Sequence, residues 1–119
     1  MTGGWMKPSS DGAIAEVAGY FRVLAEPTRL KILAALRGGP MSVGQVVEAT
    51  AGTQANVSKH LQILLDAGMV SRRAQGTSAI YTIIDPLIFA LCEQVCDTLA
   101  ERLEAQAAER ASRLRSAVR

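Results

Sequence analysis

The sequence offers little that catalysis could use. It has a single histidine and two cysteines, no glycine-rich phosphate loop, and no paired carboxylates in a plausible cleft. These absences argue against an enzyme. No apolar run approaches the ~20 residues that a membrane span needs. The opening MTGGWMKPSSDG lacks both the basic start and the apolar centre of a secretory signal. A cytoplasmic protein with reduced thiols is therefore expected. Net charge is only +2, weak support by itself for a nucleic-acid partner. No internal repeat or low-complexity segment occurs.

What is present fits one small domain. The chain has 119 residues, 49% of them hydrophobic, enough for a modest core and too many for disorder. Residues 1–12, rich in Gly, Ser and Pro and holding an isolated Trp5, read as a flexible lead. The folded domain is expected over 13–115, with a frayed tail at 116–119. A first helix over 13–25 carries Ile14, Val17, Phe21 and Leu24 on one side. Pro27 opens a second, with Leu30, Leu33 and Leu36 as its inner face and Gly38-Gly39-Pro40 as its stop.

The stretch from Thr53 to Gly68 organises the rest. Val57, Leu61, Leu64 and Leu65 recur at helical spacing and form one apolar stripe. Thr53 is placed to cap the first turn and Gly68 to close the last in a left-handed conformation. The opposite face carries Gln54, Asn56, Ser58, Lys59 and Gln62. Asn and Gln match adenine edges, Lys matches guanine or phosphate, and Ser matches either. Upstream, Ser42 and Gln45 have capping-box spacing at the start of a short helix, and Ala51-Gly52 leaves room only for a sharp turn. Short helix, tight turn and polar-tipped helix make a helix-turn-helix pattern. Downstream, residues 69–73 and 78–84 read as a β-hairpin around 74–77, with Arg72 and Arg73 approaching its tip. The fold expected is mostly α with a small β-hairpin, a winged helix-turn-helix. From Thr50 to Ile84 the charged residues are Lys59, Arg72 and Arg73 against Asp66 alone, so basic groups gather on the proposed reading surface.

A long final helix follows Asp85-Pro86. Ile88, Cys92, Val95, Cys96, Leu99 and Leu103 fall on one side of it, more than so small a body can cover. That surplus suggests pairing with a second copy, and duplex DNA contacted by few cations per chain also calls for two.

Leu24-Ala25-Glu26-Pro27-Thr28-Arg29-Leu30-Lys31-Ile32-Leu33, together with Asn56-Val57-Ser58-Lys59-His60-Leu61 and Ala67-Gly68-Met69-Val70, resembles the ArsR/SmtB family of dimeric winged-helix repressors. The resemblance covers about Val17 to Cys96. It implies four helices, a two-stranded wing and a fifth helix, a homodimer joined through the first and last helices, and a DNA operator released by an inducer. It carries reader positions onto Thr53, Gln54, Asn56, Ser58 and Lys59, and wing contacts onto Arg72, Arg73, Gly76 and Thr77. His60 follows the family pattern, either touching a phosphate or holding the helix turn by a hydrogen bond.

The sequence departs from the family's familiar inducer sites. Ser42-Val43-Gly44-Gln45 stands where arsenic sensors carry a Cys-Val-Cys run, and the last helix has none of the histidines of the zinc site. The second helix lacks the cysteine that redox sensors pair with one on the last helix. What remains is Cys92 and Cys96, one turn apart. A disulfide at that spacing is strained, since Cβ atoms ~5–6 Å apart exceed the ~3.5–4.5 Å of a bridge. Trivalent arsenic or antimony tolerates a wider separation and prefers thiolates. A third ligand would come from the partner subunit, water, Glu93 or Asp97. Plain core packing of both cysteines, an oxidative inducer that pairs them across the dimer, and a protein-interaction module on the same scaffold are the alternatives. No cofactor is required on any of these readings.

Overall fold

The computed structural model describes residues 11–118. Two compact units divide the chain, Met1–Asp85 and Pro86–Arg119. In the first lie α1 (Asp11–Leu24), α2 (Pro27–Leu36), β1 (Met41–Ser42), α3 (Val43–Thr50), α4 (Gln54–Asp66), β2 (Val70–Gln75) and β3 (Ser78–Ile83); the second is the single helix α5 (Pro86–Val118). Helix α1 therefore begins at Asp11, two residues before the domain start expected from sequence. Most of the expected lead, Trp5 included, falls outside the described residues. Helix α5 continues through Val118, where a frayed end was expected from residue 116.

Local chemistry explains the boundaries. Glu26 is the N-cap of α2, its carboxylate accepting from the Thr28 N–H at 2.9 and 3.1 Å, and Pro27 supplies the first-turn residue that needs no N–H partner. Ser42 caps α3 in a full capping box: its hydroxyl accepts from the Gln45 N–H at 3.2 Å, while the Gln45 amide oxygen accepts from the Ser42 N–H at 2.8 Å. Thr53 caps α4, accepting from the Asn56 N–H at 3.2 Å. Gly68, at φ +74°, then turns the chain into β2.

The core of the first unit is built by Ile32, Leu33 and Leu36 of α2, Val46 of α3, Val57, Leu61 and Leu64 of α4, and Met69, Val70 and Tyr81 from the sheet side. Each such side chain contributes roughly 1.5–3 kcal/mol by burial. Leu30 was expected on the inner face of α2, yet it is 41% exposed and Ile32 is fully buried. The buried arc is centred between Ile32 and Leu36, which turns Leu30 out. Helix α1 has no buried residue, and Phe21 is 55% exposed.

The sheet has three antiparallel strands in the order β1-β3-β2. Strand β1 escapes sequence reading because two residues, Met41 opposite Tyr81 and Ser42 opposite Ile80, are too few to show an alternation. The β2–β3 register runs from Val70 opposite Ile83 to Gln75 opposite Ser78, so the turn is Gly76-Thr77 alone, not the four residues 74–77. Gly76 has φ +62°, which the first position of a tight II′ turn demands.

Candidate nucleic-acid interface

Helix α4 is amphipathic in the expected sense. Val57, Leu61 and Leu64 are buried, whereas Gln54, Asn56, Ser58, Lys59 and Gln62 are exposed. Gln54, Ser58 and Gln62, four residues apart, form one row along the outer face, with Lys59 beside it. At the N-terminus Thr53 is exposed, and its capping hydroxyl retains a proton to donate. Gln62 is partly committed: its amide donates to Asp66 Oδ1 at 2.8 Å, which leaves its carbonyl oxygen as an acceptor and gives Asp66 a role beyond solvation.

The preceding turn carries local strain. Ala51 closes α3 at φ +54°, a left-handed conformation that costs an alanine about 1–2 kcal/mol. Next to it, a Cβ on Gly52 would stand 3.0 Å from Val57 Cγ2 and 3.3 Å from Thr50 Oγ1. A larger residue there would require the Val57 and Thr50 side chains to give by a few tenths of an ångström, because α3 and α4 approach closely at the corner.

His60 departs from the other candidates. It is 9% exposed and turned toward the body of the unit, where its Nδ1 lies 3.1 Å from Arg29 Nη1 and 3.7 Å from Glu26 Oε2. A guanidinium can only donate, so Nδ1 accepts and the ring is the neutral Nε2–H tautomer. In that state the longer approach to Glu26 is not an ion pair. The ring is removed from the exposed row by burial, and the helix-holding alternative is the one the geometry favours over phosphate contact.

Arg29 is the hub of this arrangement. Its Nε donates to Val23 O at 2.7 Å and its Nη2 reaches Arg22 O at 3.5 Å. These are carbonyls of the last turn of α1, a position that favours a nearby cation; the Arg22 carbonyl also accepts from the Ala25 N–H at 3.3 Å. One side chain thus ties the end of α1 and the start of α2 to the reader helix. Glu26, anchored mainly by the Thr28 backbone N–H, has its carboxyl held below the usual carboxylate range. Sequence reading treated Glu26 and Arg29 only as marks of resemblance. An acidic residue just before a helix-opening proline was the available signal for the cap; nothing local announced Arg29's link to His60.

On the wing, Arg72, Arg73, Gly76 and Thr77 are all exposed. Arg72 is opposite Tyr81 and Arg73 opposite Ile80, so the two arginines project from opposite faces of the hairpin. They do not act as a pair on one surface.

On α5, Cys92 is half-buried and Cys96 exposed, both as free thiols. Among the described residues no group of three or more His, Cys, Asp or Glu side chains is placed to hold a metal. No helix among the described residues is long and apolar enough to cross a membrane.

A family model for a helix-turn-helix domain matches residues 24–73, the span from the end of α1 into β2. The chain is 36% identical over 87 residues to the HTH-type transcriptional regulator NmtR of Mycobacterium tuberculosis, covering 73% of this chain and 72% of that protein. It is 41% identical over 71 residues to a probable mercury resistance operon repressor of Streptomyces lividans, covering 60% and 57%. Among solved structures, the homodimeric winged helix-turn-helix domain Mb0332 of Mycobacterium bovis, described as a possible ArsR-family regulator, matches with a TM-score of 0.69 at 30% identity over 86% of this chain and 95% of that one. The antimony-specific transcriptional repressor AntR matches with a TM-score of 0.72 at 29% identity, covering 83% and 90%. Element order, capped reader helix and wing agree with these likenesses, and the chain belongs to the ArsR/SmtB family of winged helix-turn-helix transcriptional repressors.

Proposed function

We propose that two copies of the chain assemble through α1 and α5, set their α4 helices against successive major grooves of a palindromic operator, and release it when trivalent arsenic or antimony binds Cys92 and Cys96. One observation carries the DNA reading. Uncharged hydrogen-bonding side chains form an exposed row on α4, while Arg29 and His60 brace the same helix from behind. Residues Thr53, Gln54, Asn56, Ser58 and Lys59 read bases or nearby phosphates. Arg72 or Arg73, with the Gly76-Thr77 turn, meets the backbone. Pairing of copies is supported by apolar surface left uncovered on both helices, with Phe21 at 55%, Val95 at 52% and Leu99 at 50% exposure.

For the inducer, the support is two accessible thiols one helical turn apart on α5, the helix proposed to join the dimer. AntR is described as antimony-specific, and the Streptomyces lividans relative as a mercury resistance repressor; both point to soft, thiophilic metals and metalloids. This chain supplies two thiolates, and the third ligand comes from the partner subunit or water. Ligation favours a dimer geometry whose reader helices no longer match the half-site spacing, since a ligand shifts an equilibrium only by its differential affinity. Adding arsenite or antimonite to the protein–operator complex should free the DNA from wild type and leave Cys92→Ser bound. Equal release from both would remove the cysteines from the mechanism.

A further inference from the structure

Between Thr50 and Ile84 the only acidic side chain is Asp66, and it is exposed on the helix proposed to enter the groove. An acid on a surface that meets a polyanion weakens binding, so its place there calls for a compensating role. One contact supplies it: Gln62 Nε2 donates to Asp66 Oδ1 at 2.8 Å, one helical turn away. Gln62 closes the exposed row begun by Gln54 and Ser58, about 12 Å from first to last at 1.5 Å per residue. That is close to the width of a B-form major groove, so a helix seated there keeps Gln62 within the groove.

A glutamine amide is ordinarily two-faced. Half a turn about its last side-chain bond exchanges its acceptor oxygen for its donor nitrogen. A carboxylate only accepts, so Asp66 dictates which end of the amide turns toward it and leaves Oε1 as the end that meets a partner. Turning the amide over would set Oε1 against the Asp66 oxygens, and the flip is opposed by repulsion as well as by the lost bond. Such an i,i+4 pair is weak in water and strengthens where the groove displaces water.

We propose that Asp66 is a positioning residue for base recognition, holding the Gln62 amide so that Oε1 selects a base with an exocyclic amino group, adenine or cytosine. The proposal rests on α4 being the reader helix and adds the chemistry of one position. In the major groove adenine and cytosine present an amino donor where guanine and thymine present a keto acceptor. A fixed Oε1 pairs with the first two and meets the others lone pair against lone pair. A freely turning glutamine accepts from the amino bases or donates to the keto bases, and so distinguishes them poorly.

Competition binding with every base pair of an operator half-site replaced in turn by the other three tests this. Wild type should show a position where A and C both bind about threefold more tightly than G and T, or about tenfold with both half-sites changed. Gln62→Ala should abolish the preference at that position alone. Asp66→Ala should shrink it below about twofold while tightening binding to every sequence, because a negative charge leaves the interface. Asp66→Glu retains charge and acceptor and should retain the preference. The double variant Gln62→Glu, Asp66→Ala supplies an acceptor that needs no orienting, at unchanged net charge, and should restore it. Survival of the full preference in Asp66→Ala would overturn the proposal, as would a wild type that binds C no better than G and T at the position Gln62→Ala affects. Base discrimination untouched by Gln62→Ala would also overturn it while leaving α4 as the reader. A wild type that discriminates at no position would instead overturn the reader-helix assignment itself. Circular dichroism matching wild type shows that each variant is folded.

Discussion

At the scale of single residues, specificity is expected to rest on α4 side chains that end in amides and hydroxyls. Gln54→Ala or Ser58→Ala should cost roughly 1–3 kcal/mol of discrimination between operator and altered sites, while leaving nonspecific binding nearly unchanged. Competition gel shifts with single-base operator variants check this, and an unaltered preference would remove these positions from the reading set. Glu26 gives a second residue-level test. Its folded carboxyl titrates below the ordinary range near 4.5, so the unfolded chain binds more protons between the two values. The stabilisation is complete above the ordinary value and is lost as pH falls through the depressed one. Glu26→Gln should therefore reduce stability at neutral pH and flatten its decline in acid, as read by thermal melting across pH 2–7. The exposed row of α4 was legible in the sequence because amphipathic spacing alone separates its two faces. His60 was not settled there. Its position between those faces admits either phosphate or core, and the deciding partner, Arg29, is 31 residues away.

At the scale of elements, the reader helix is held at a set angle by two devices, the corner before it and the Arg29 link behind it. Replacing Ala51 with glycine relieves a left-handed alanine but adds backbone entropy to the unfolded chain. The balance favours the variant by up to about 1 kcal/mol, seen as a higher melting temperature with operator binding retained. Arg29→Ala removes hydrogen bonds to two α1 carbonyls and to the His60 ring. With the side chain partly exposed, the expected loss is about 1–2 kcal/mol. Operator affinity should fall as well although Arg29 touches no DNA, and the fall should be uniform across operator variants, unlike that of Gln54→Ala. Helix boundaries were readable wherever a cap or breaker marked them, at Pro27, Ser42, Thr53 and Gly68. They differ at α1, where Gly12 is a poor helix former and reads as lead although the helix begins at Asp11, and at α5, where no breaker marks the end. The wing was readable as a hairpin. Its two-residue turn was not, because Ala74 and Gln75 have no strong strand preference and only the register with β3 assigns them.

For the molecule as a whole, a net charge of +2 says little about how tightly the protein holds a polyanion. Placement matters more, since the cations proposed to meet the duplex are Lys59, Arg72 and Arg73, six in a dimer of identical chains. If all six met phosphates, the logarithm of the operator association constant would fall against the logarithm of salt concentration with a slope of about −5. The wing makes a shallower slope the expectation, because Arg72 and Arg73 leave opposite faces of the hairpin and one of each pair is turned from the backbone. Four contacts give a slope of about −3.5. Arg72→Ala and Arg73→Ala should consequently behave unequally, one reducing the slope by about 2 for the dimer and the other leaving it nearly unchanged. Equal reductions by both variants would mean that the hairpin twists on binding until both faces reach phosphate. A wild-type slope near zero would contradict the DNA reading itself and favour a protein partner for the same surface. Fluorescence anisotropy on a labelled operator, titrated at several salt concentrations, distinguishes all three results.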